Sequence, residues 1–276
     1  MEHWITEWWI RFFIGAIGSS FIAVVAYRLR SLSLSGAWSA IVMGTCYVTL
    51  GDPMWFSVLL AFFISSSVWS KWKRHHRTKR KAESTYAKTG RRDALQVWAN
   101  GGLGLVLCAG HACWPGAGWL YAFVGVMGGV NADTWATEIG ALSRTAPRAL
   151  LSGKAVAPGT SGGVTPLGSA AALIGAVFIG VIAALLAPAG VTSGGLIAAA
   201  AVAGFAGAYA DSLLGATVQA MYRCSICGSE MERAEHCGVA ALRIRGCAWM
   251  TNDAVNLVSS AIAGLLAWAI GLIFYG

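Results

Sequence analysis

The sequence predicts an all-α integral membrane protein, a polytopic helical bundle of about eight transmembrane helices. Of its 276 residues, 57% are hydrophobic and only 12% are charged, whereas roughly a quarter of an ordinary soluble domain is charged. The mean hydropathy is +0.62. Apolar runs of roughly 20 residues, enough to cross about 30 Å of hydrocarbon, recur along the chain. Aromatic residues make up 11% of it, which excludes an intrinsically disordered protein.

The apolar runs place eight spans in a single membrane domain that covers residues 1–276. The spans lie near residues 8–26, 34–51, 53–70, 94–112, 117–137, 164–187, 194–213 and 252–274. Four hydrophilic connections join pairs of spans, namely residues 27–33, 71–93, 138–163 and 214–251, and the other connections are short. Because consecutive spans alternate in direction, all four hydrophilic connections fall on one side of the membrane.

Basic residues orient this topology. The chain has 20 lysines and arginines, and all of them except Arg11 lie in the four hydrophilic connections. Such a bias marks the cytoplasmic side, so we expect a multi-pass plasma membrane protein with both termini outside the cytoplasm. The net charge of +8 then reflects topology, and no nucleic-acid partner is expected. The segment 71–93 is interpreted as a basic cytoplasmic loop that touches anionic membrane lipid, and it could also attract a phosphorylated substrate.

Acidic side chains at the span edges are the first candidates for chemistry, because a charge in hydrocarbon is costly. Asp93, Asp133, Asp211 and Asp253 recur at the predicted cytoplasmic ends of spans. A buried hydrogen bond or an ion pair with a loop arginine would explain one such acid. Four together indicate a shared cation. Carboxylate and amide oxygens suit Mg²⁺, which commonly joins protein carboxylates to substrate phosphates.

The third hydrophilic connection contains a candidate phosphate-binding loop within residues 138–163. The segment KAVAPGTSGGVTPLG at residues 154–168, which begins in this connection and extends into the next predicted span, combines glycines, hydroxyl side chains and an upstream lysine near the start of a predicted helix. Consecutive backbone N–H groups and a helix N-terminus bind anions. The loop is not a Walker A motif, because Gly-Lys-Ser/Thr is absent. A flexible connector is the alternative, although Pro158 and Pro166 would stiffen it.

The fourth hydrophilic connection holds four soft ligands, Cys224, Cys227, His236 and Cys237. Zinc takes four such ligands in structural sites. Adjacent His236 and Cys237 are an awkward pair, so reduced packing thiols are an alternative, redox chemistry is a third, and Cys247 is a substitute ligand. The odd number of cysteines and their predicted cytoplasmic position argue against a disulfide framework. No nucleophilic triad is visible, whereas phosphoryl transfer needs mainly positioning, Mg²⁺ and cationic groups.

The chain carries five long motifs: RRDALQVWANGG, NADTWATEIG, PGTSGGVTPLG, YADSLLGATVQ and NDAVNL. Together and in this order they resemble bacterial members of the transmembrane protein 19 family, also called domain of unknown function 92. The resemblance extends over roughly residues 10–275. It implies a membrane lipid-phosphate kinase, because plant and cyanobacterial relatives are phytyl-phosphate kinases. These enzymes convert an isoprenyl monophosphate into the diphosphate with a nucleoside triphosphate, and CTP is the expected donor.

The resemblance and the neighbouring residues together define the predicted site. The predicted catalytic residues are Asp133, Glu138, Asp211, Asp253 and Lys154. The predicted substrate- and nucleotide-binding residues are Asn100, Thr134, Thr160, Ser161, Gly162, Gly163, Thr165, Asn252, Asn256, Arg144 and Arg148. The predicted Mg²⁺ ligands are Asp133, Asp211 and Asp253. The Cys224, Cys227, His236 and Cys237 group lies outside the shared motifs, so we expect at most a structural zinc site there, and its loss should lower stability more than activity.

We therefore expect an enzyme that transfers a phosphoryl group from a nucleoside triphosphate to an isoprenyl monophosphate at the cytoplasmic face. The prenyl tail would lie between helices in lipid while its phosphate meets Mg²⁺. A lipid-phosphate transporter or flippase is one alternative, although transporters usually place polar sites near the midplane of the membrane. A CTP-dependent cytidylyltransferase, which would release pyrophosphate, is the other. Isoprenoid chain length, nucleotide preference, oligomeric state and pathway are left open by the sequence.

Overall fold

A computed structural model describes residues 7–72, 75–86 and 90–275. Within these residues, eight long helices coincide with the eight predicted spans, and one short helix lies in the basic segment. The helices are α1 (Trp8–Arg28), α2 (Leu34–Leu50), α3 (Pro53–Lys71), the short α4 (Arg77–Glu83), α5 (Ala94–Cys113), α6 (Ala117–Gly140), α7 (Pro166–Leu185), α8 (Ser193–Thr217) and α9 (Asn252–Tyr275).

Five of these helices, α1, α3, α7, α8 and α9, are both long and apolar enough to cross a membrane, and α2 is an apolar helix of 17 residues. Helices α5 and α6 are long enough but less apolar. Helix α6 packs against α3, α5, α7, α8 and α9, so its polar side chains meet protein rather than lipid. The protein is therefore integral to the membrane through several apolar helices, and the full count of eight spans stays a prediction.

Side-chain caps determine where several helices begin. Ser33 caps α2, Asp52 caps α3 and Thr165 caps α7, each by accepting a hydrogen bond from a backbone N–H of the first turn. Asp93 and Gln96 form a reciprocal capping box at the start of α5. Such caps satisfy N–H groups that the helix leaves unpaired. The Asp93 carboxylate, one of the four acids at the span edges, is therefore used by its own helix.

Helices α6 to α9 pack with their backbones in close contact, because small residues face one another. A Cβ atom added at Gly204 of α8 would lie 2.8 Å from the carbonyl carbon of Gly128 in α6. One added at Gly125 of α6 would lie 2.3 Å from the Cβ of Ala267 in α9. Small residues permit such close packing between helices in lipid. We call α6 to α9 the tight half of the bundle.

Among the other long helices, α1 and α2 pack closely at Gly15, where an added Cβ would lie 3.1 Å from the carbonyl oxygen of Thr45. Helices α3 and α5 pack through larger side chains, and we call α1, α2, α3 and α5 the open half. Trp55 and Phe62 of α3 are buried in the main core. Tyr47 of α2 donates a hydrogen bond to the carbonyl of Gly101 in α5 at 2.9 Å. Helix α1 lies at the edge, where Phe21 is 71% exposed and would face lipid.

The hydrophilic connections meet at one end of the bundle, which we call the loop-rich end. They contain short strands: β1 (Arg148–Ala149), β2 (Gly163–Val164), β3 (Met221–Arg223), β4 (Glu230–Met231), β5 (Glu235–His236), β6 (Val239–Ala240) and β7 (Leu242–Arg245). Strand β1 pairs with β2, β3 lies between β4 and β7, and β5 pairs with β6, all antiparallel. The all-α prediction therefore holds for the bundle but not for its connections, which lie outside hydrocarbon and need not be helical.

Candidate active site

The loop-rich end encloses a polar cavity of about 1500 Å³. Parts of α3, α5, α6, α7, α8 and α9 line it, together with the basic segment and the glycine-rich loop. The lining includes most of the predicted site residues: Asn100, Asp133, Thr134, Glu138, Arg144, Thr160, Ser161, Gly162, Gly163, Thr165, Asp211, Asn252, Asp253 and Asn256. Motifs that are far apart in the chain therefore surround one space, while their chemical roles stay predictions.

Arg148 and Lys154 do not line this cavity, although both were predicted to act on phosphates. Both residues are exposed, and the Arg148 guanidinium donates to the carbonyl of Gly153 at 2.9 Å. Lys154 lies in the tight turn of residues 149–154, where the N–H of Ala149 donates to the carbonyl of Lys154 at 2.9 Å, and this turn is not part of the cavity lining. Arg148 and Lys154 therefore lie outside the cavity, and their action on phosphates stays a prediction. Arg148 and Lys154 were predicted because they are close to the glycines along the chain. The direction of the turn, which the sequence does not show, decides whether their side chains reach the cavity.

The three aspartates predicted to bind Mg²⁺ line the cavity without forming a compact centre. Within the described ranges, only the Cys/His group brings three or more Asp, Glu, His or Cys ligand atoms within 4.8 Å of one another. Asp211 accepts a hydrogen bond from Ser259 at 2.9 Å, whereas no hydrogen bond or ion pair joins Asp133 to another described residue. The charges of Asp133, Asp211 and Glu232 repel one another. Such oxygen donors fit a Mg²⁺ ion held by one or two carboxylates and completed by substrate phosphates.

Glu138 is engaged in an ion pair and is not a free catalytic acid. The Lys79 ammonium lies 2.6 Å from one Glu138 oxygen, and Ser70 donates to the other at 2.5 Å. Lys79 is 1% exposed and also donates to the carbonyls of Trp69, Ser70 and Trp72 at 2.8 to 3.3 Å. Lys79 thus ties the C-terminal end of α3 to α6 through Glu138, and a catalytic role for Glu138 stays a prediction.

The described residues of the basic segment 71–93 include several that line the cavity, among them Lys79, Tyr86 and Arg92. Ala82 of α4 is buried. Thr85, which follows α4, donates a hydrogen bond to the carbonyl of Gly159 in the glycine-rich loop at 2.8 Å. Lys73, Arg74 and Lys88 lie outside the described residues. Two cations of this segment, Lys79 and Arg92, are directed into the protein. Contact of the segment with anionic lipid therefore accounts for only part of its charge.

Arg92 supplies a partly buried cation where the cavity meets α3. Its guanidinium donates to Ser67 at 3.0 Å and lies over the rings of Phe62 and Phe63, 5.9 Å and 5.6 Å from their centroids. Burial lowers the pKa of Arg92, but an arginine keeps its charge at neutral pH. These contacts hold the side chain in one position. Arg92 was not among the predicted site residues, although it belongs to the RRDALQVWANGG motif.

The glycine-rich loop is held rigidly against α4 and α8. Gly159 and Gly162 adopt φ values of +84° and +80°, a conformation that favours glycine. A Cβ atom on Gly162 would also lie 2.5 Å from the Cβ of Ala216. The Thr165 hydroxyl accepts the Gly168 N–H at 3.0 Å as the cap of α7, so its oxygen serves the helix before any substrate.

A chain of hydrogen bonds links this loop to the fourth hydrophilic connection. Ser161 donates to Gln219 at 2.8 Å, and Gln219 donates to Glu232, also at 2.8 Å. Gln219 is 2% exposed and, like Glu232, lines the cavity. Sequence reasoning missed both residues. Gln219 is the last residue of YADSLLGATVQ, and that position in a motif was the available signal, whereas Glu232 has no such signal.

Tyr86 is a further missed residue of the cavity wall. Burial, together with the charges of nearby carboxylates, raises its pKa. The phenol therefore keeps its proton at neutral pH and can donate a hydrogen bond to an anion in the cavity. The Thr134 hydroxyl, by contrast, donates to the carbonyl of Val130 in its own helix at 2.9 Å.

The cysteine and histidine side chains predicted as a possible zinc group do come together. Ligand atoms of Cys224, Cys227, His236 and Cys237 all lie within 4.8 Å of one another, outside the cavity. Cys247, the proposed substitute ligand, is not part of this group. Hydrogen bonds from Ser229 are the main cause that lowers the pKa of Cys227 to about 6.

The fold and the site together define a polytopic membrane protein with one large polar cavity at the loop-rich end. The chain belongs to the family described as Integral membrane protein DUF92, whose model matches residues 17–264. This match confirms the resemblance seen in the motifs.

Two relatives match along nearly their whole length. Protein PGR from Arabidopsis thaliana is 30% identical over 280 residues, which cover 93% of this chain and 94% of that protein. Uncharacterized membrane protein MJ0933 from Methanocaldococcus jannaschii is 26% identical over 276 residues, covering 100% of this chain and 99% of that protein. No solved structure matches the chain.

Proposed function

We propose that this protein is a membrane-embedded kinase that transfers a phosphoryl group from a nucleoside triphosphate, CTP in the first instance, to an isoprenyl monophosphate. The active site would be the cavity at the loop-rich end, which would open on the cytoplasmic face of the plasma membrane. One observation carries this proposal: the polar cavity meets an apolar groove at the partly buried cation of Arg92.

The apolar groove runs between the helices of the open half. Its lining includes Ile22, Ala40 and Leu59, and it is almost entirely apolar. Arg92, Gln96 and Asn100 line both the groove and the polar cavity. A lipid with a phosphate head and a hydrocarbon tail matches this juxtaposition, because the tail is placed in apolar surroundings while the head reaches a cation.

The residues that line both the polar cavity and the apolar groove are the candidates for binding the acceptor phosphate. Arg92 carries a fixed positive charge, and Gln96 and Asn100 lie on the same α5 face, since they are one helical turn apart. A planar guanidinium recognises phosphate oxygens through paired N–H donors. We therefore assign the acceptor phosphate to Arg92 and Asn100.

The cavity also has room for the donor. Single-ligand pockets commonly enclose about 300 to 1,000 Å³, and this cavity encloses about 1500 Å³. In the glycine-rich loop beside the start of α7, the N–H groups of Thr160 and Gly163 donate to the carbonyls of Ala157 and Thr160. The N–H groups of residues 159, 161 and 162 would therefore be the ones that bind phosphate there. Tyr86 and Arg144 would donate further hydrogen bonds to the donor phosphates.

The proposed reaction needs little covalent help from the protein. An oxygen of the acceptor phosphate forms a bond to the γ-phosphorus, the bond from that phosphorus to its bridging oxygen breaks, and the nucleoside diphosphate leaves with the electron pair. The acceptor is already ionised, so a strong general base is unnecessary. Mg²⁺, when bound, would neutralise charge on the transferred group. Asp133 and Asp211 would hold the ion, and Arg92 would hold the acceptor in line.

Product analysis tests the proposal. Protein purified in detergent would be incubated with Mg²⁺, each nucleoside triphosphate and monophosphates of prenyl alcohols of several lengths, and the products identified by mass. We expect a prenyl diphosphate and a nucleoside diphosphate in equal amounts. Pyrophosphate with a nucleotidyl lipid would show a cytidylyltransferase instead. Absence of nucleotide turnover, combined with movement of the lipid phosphate across vesicles, would show a transporter.

A further inference from the structure

Four soft side chains from two hairpins converge beside the cavity, in a part of the chain that the proposed reaction does not use. The Nδ1 atom of His236 lies 3.4 Å from the sulfur of Cys227 and 3.2 Å from the sulfur of Cys237. The sulfur of Cys224 lies within 4.8 Å of the same atoms. Around a tetrahedral zinc ion with bonds of about 2.0 to 2.3 Å, neighbouring ligand atoms are roughly 3.5 to 3.8 Å apart. The observed spacing therefore surrounds a volume of the right size for one ion.

The first hairpin directs two sulfurs to one side. Cys224 follows β3, and its N–H donates to the carbonyl of Ser229 at 3.0 Å, while the N–H of Gly228 donates to the carbonyl of Cys224 at 2.9 Å. Gly228 has a φ of +70°, which closes the turn directly after Cys227. The turn thereby places the sulfurs of both cysteines of this Cys-x-x-Cys segment where they can bind one metal ion.

The second hairpin removes the difficulty that adjacent His236 and Cys237 posed. Strands β5 and β6 pair His236 with Val239, so Cys237 and Gly238 form a two-residue loop. Both loop residues have positive φ, +53° and +74°, as a type I′ turn requires. A positive φ is uncommon for cysteine. In this conformation the Cys237 sulfur lies beside the imidazole of the residue that precedes it.

Simple packing of reduced thiols does not account for this arrangement. Cys227 and Cys237 are exposed, and only Cys224 is buried, whereas a cysteine that merely fills a core is buried. Three cysteines and one histidine complete four-coordinate zinc and leave no open position, which is the pattern of a structural rather than a catalytic site. We propose that Cys224, Cys227, His236 and Cys237 bind one structural Zn²⁺ ion.

The ion would stabilise the segment that connects the two hairpins, and this segment reaches the cavity. The N–H of Glu232 donates to the carbonyl of Thr85 at 3.0 Å, and the Arg233 guanidinium donates to the carbonyl of Ser84 at 2.7 Å. Strands of two to four residues are too short to be stable alone. Zinc coordination would supply the missing stability and keep Glu232 against Gln219.

Metal analysis of the full-length protein in detergent tests this inference, which does not depend on the proposed function. Protein purified without chelators should contain about one zinc ion per chain. Cys227→Ser and Cys224→Ser should lose most of that zinc. Cys247→Ser removes an exposed cysteine of the same connection that lies outside the group, so this control should retain the ion.

A second measurement uses the unmodified protein and so does not depend on the variants folding. After exchange of the metal for Co²⁺, we expect the intense visible absorption of tetrahedral cobalt and a sulfur-to-cobalt band in the near ultraviolet. Removal of the metal should also lower the unfolding temperature, and added Zn²⁺ should restore it. Wild-type protein that contains no zinc as purified and takes up neither Zn²⁺ nor Co²⁺ would overturn the inference, as would full zinc retention in both Cys224→Ser and Cys227→Ser.

Discussion

The tight half and the open half of the bundle use opposite ways of packing helices. In the tight half, glycine and alanine bring α6, α7, α8 and α9 together until backbone meets backbone, as at Gly128 and Gly204. In the open half, bulky side chains such as Trp55 and Phe62 separate the helices, and an apolar groove lies between them. The three aspartates that line the cavity, Asp133, Asp211 and Asp253, are all carried by the tight half.

This difference matches two different demands of the proposed reaction. Charged groups that act on phosphates must be held in place within a fraction of an ångström, and backbone contact leaves helices little freedom to move. A prenyl tail has no directional contacts and needs only an apolar space that can adapt to it. Lys79 joins the two halves, because it binds Glu138 of α6 and the last carbonyls of α3.

Breaking this junction should have the largest effect. Lys79→Met removes a buried charge and leaves Glu138 and the carbonyls at the end of α3 without their donor. Loss of one partner of a buried ion pair costs about 3 to 5 kcal/mol, and we expect a decrease of that order in the free energy of unfolding, measured by denaturation in detergent. Lys81→Met alters an exposed lysine of the same helix and should be nearly neutral. Equal stability of the two variants would show that Lys79 does not join the halves.

The next largest effect should fall on catalysis in the tight half. Asp133→Asn keeps the shape of the side chain but removes its charge, so we expect a loss of at least roughly 100-fold in kcat, about 2.7 kcal/mol, with folding preserved. Asp211→Asn should behave alike, and the double variant should be barely worse, because ligands of one ion act as a unit. Asp93→Asn is the control, since asparagine also caps a helix. Single variants that fold and keep more than about a third of wild-type turnover, a loss below about 0.7 kcal/mol, would exclude the shared metal.

The close packing of the tight half can be tested with matched glycine substitutions. At Gly204 an added Cβ meets the backbone of α6, which cannot move aside like a side chain, so Gly204→Ala should destabilise the protein by about 1 to 3 kcal/mol. Gly18 of α1 has no atom within 4 Å of an added Cβ. Gly18→Ala should be neutral or stabilise by up to about 1 kcal/mol. Thermal unfolding in detergent compares the two, and a smaller loss at Gly204 than at Gly18 would contradict the description of the tight half.

The groove of the open half should respond more weakly and only to long acceptors. Ala40→Phe fills part of the groove, and we expect about a tenfold rise in KM for long prenyl monophosphates, about 1.4 kcal/mol, with little change for short ones and little change in kcat. Ala269→Phe adds the same ring to an exposed position of α9 and should leave KM unchanged. A rise in KM that is independent of acceptor length would place the tail elsewhere.

Much of the fold could be predicted from the sequence, because hydropathy along the chain records which segments leave water. The positions of the helices, the gathering of the hydrophilic connections at one end and the convergence of the motifs there all follow from apolar runs that alternate in direction. Helix α6 was also located from the sequence, although its polar residues lower its hydropathy, and its crossing of the membrane stays a prediction. The family, too, was recognisable from motifs such as NADTWATEIG.

The partners of individual side chains were decided by the tertiary structure alone. Three results depend on how elements that are distant in the chain, or a single left-handed residue, orient a side chain. They are the pairing of Lys79 with Glu138, the position of Arg148 and Lys154 outside the cavity, and the convergence of Cys237 with His236. Composition and spacing specify which groups reach the same end of the bundle. Close packing of the helices excludes water from some of these groups and leaves others in the cavity. The packing therefore determines which groups remain available to a ligand.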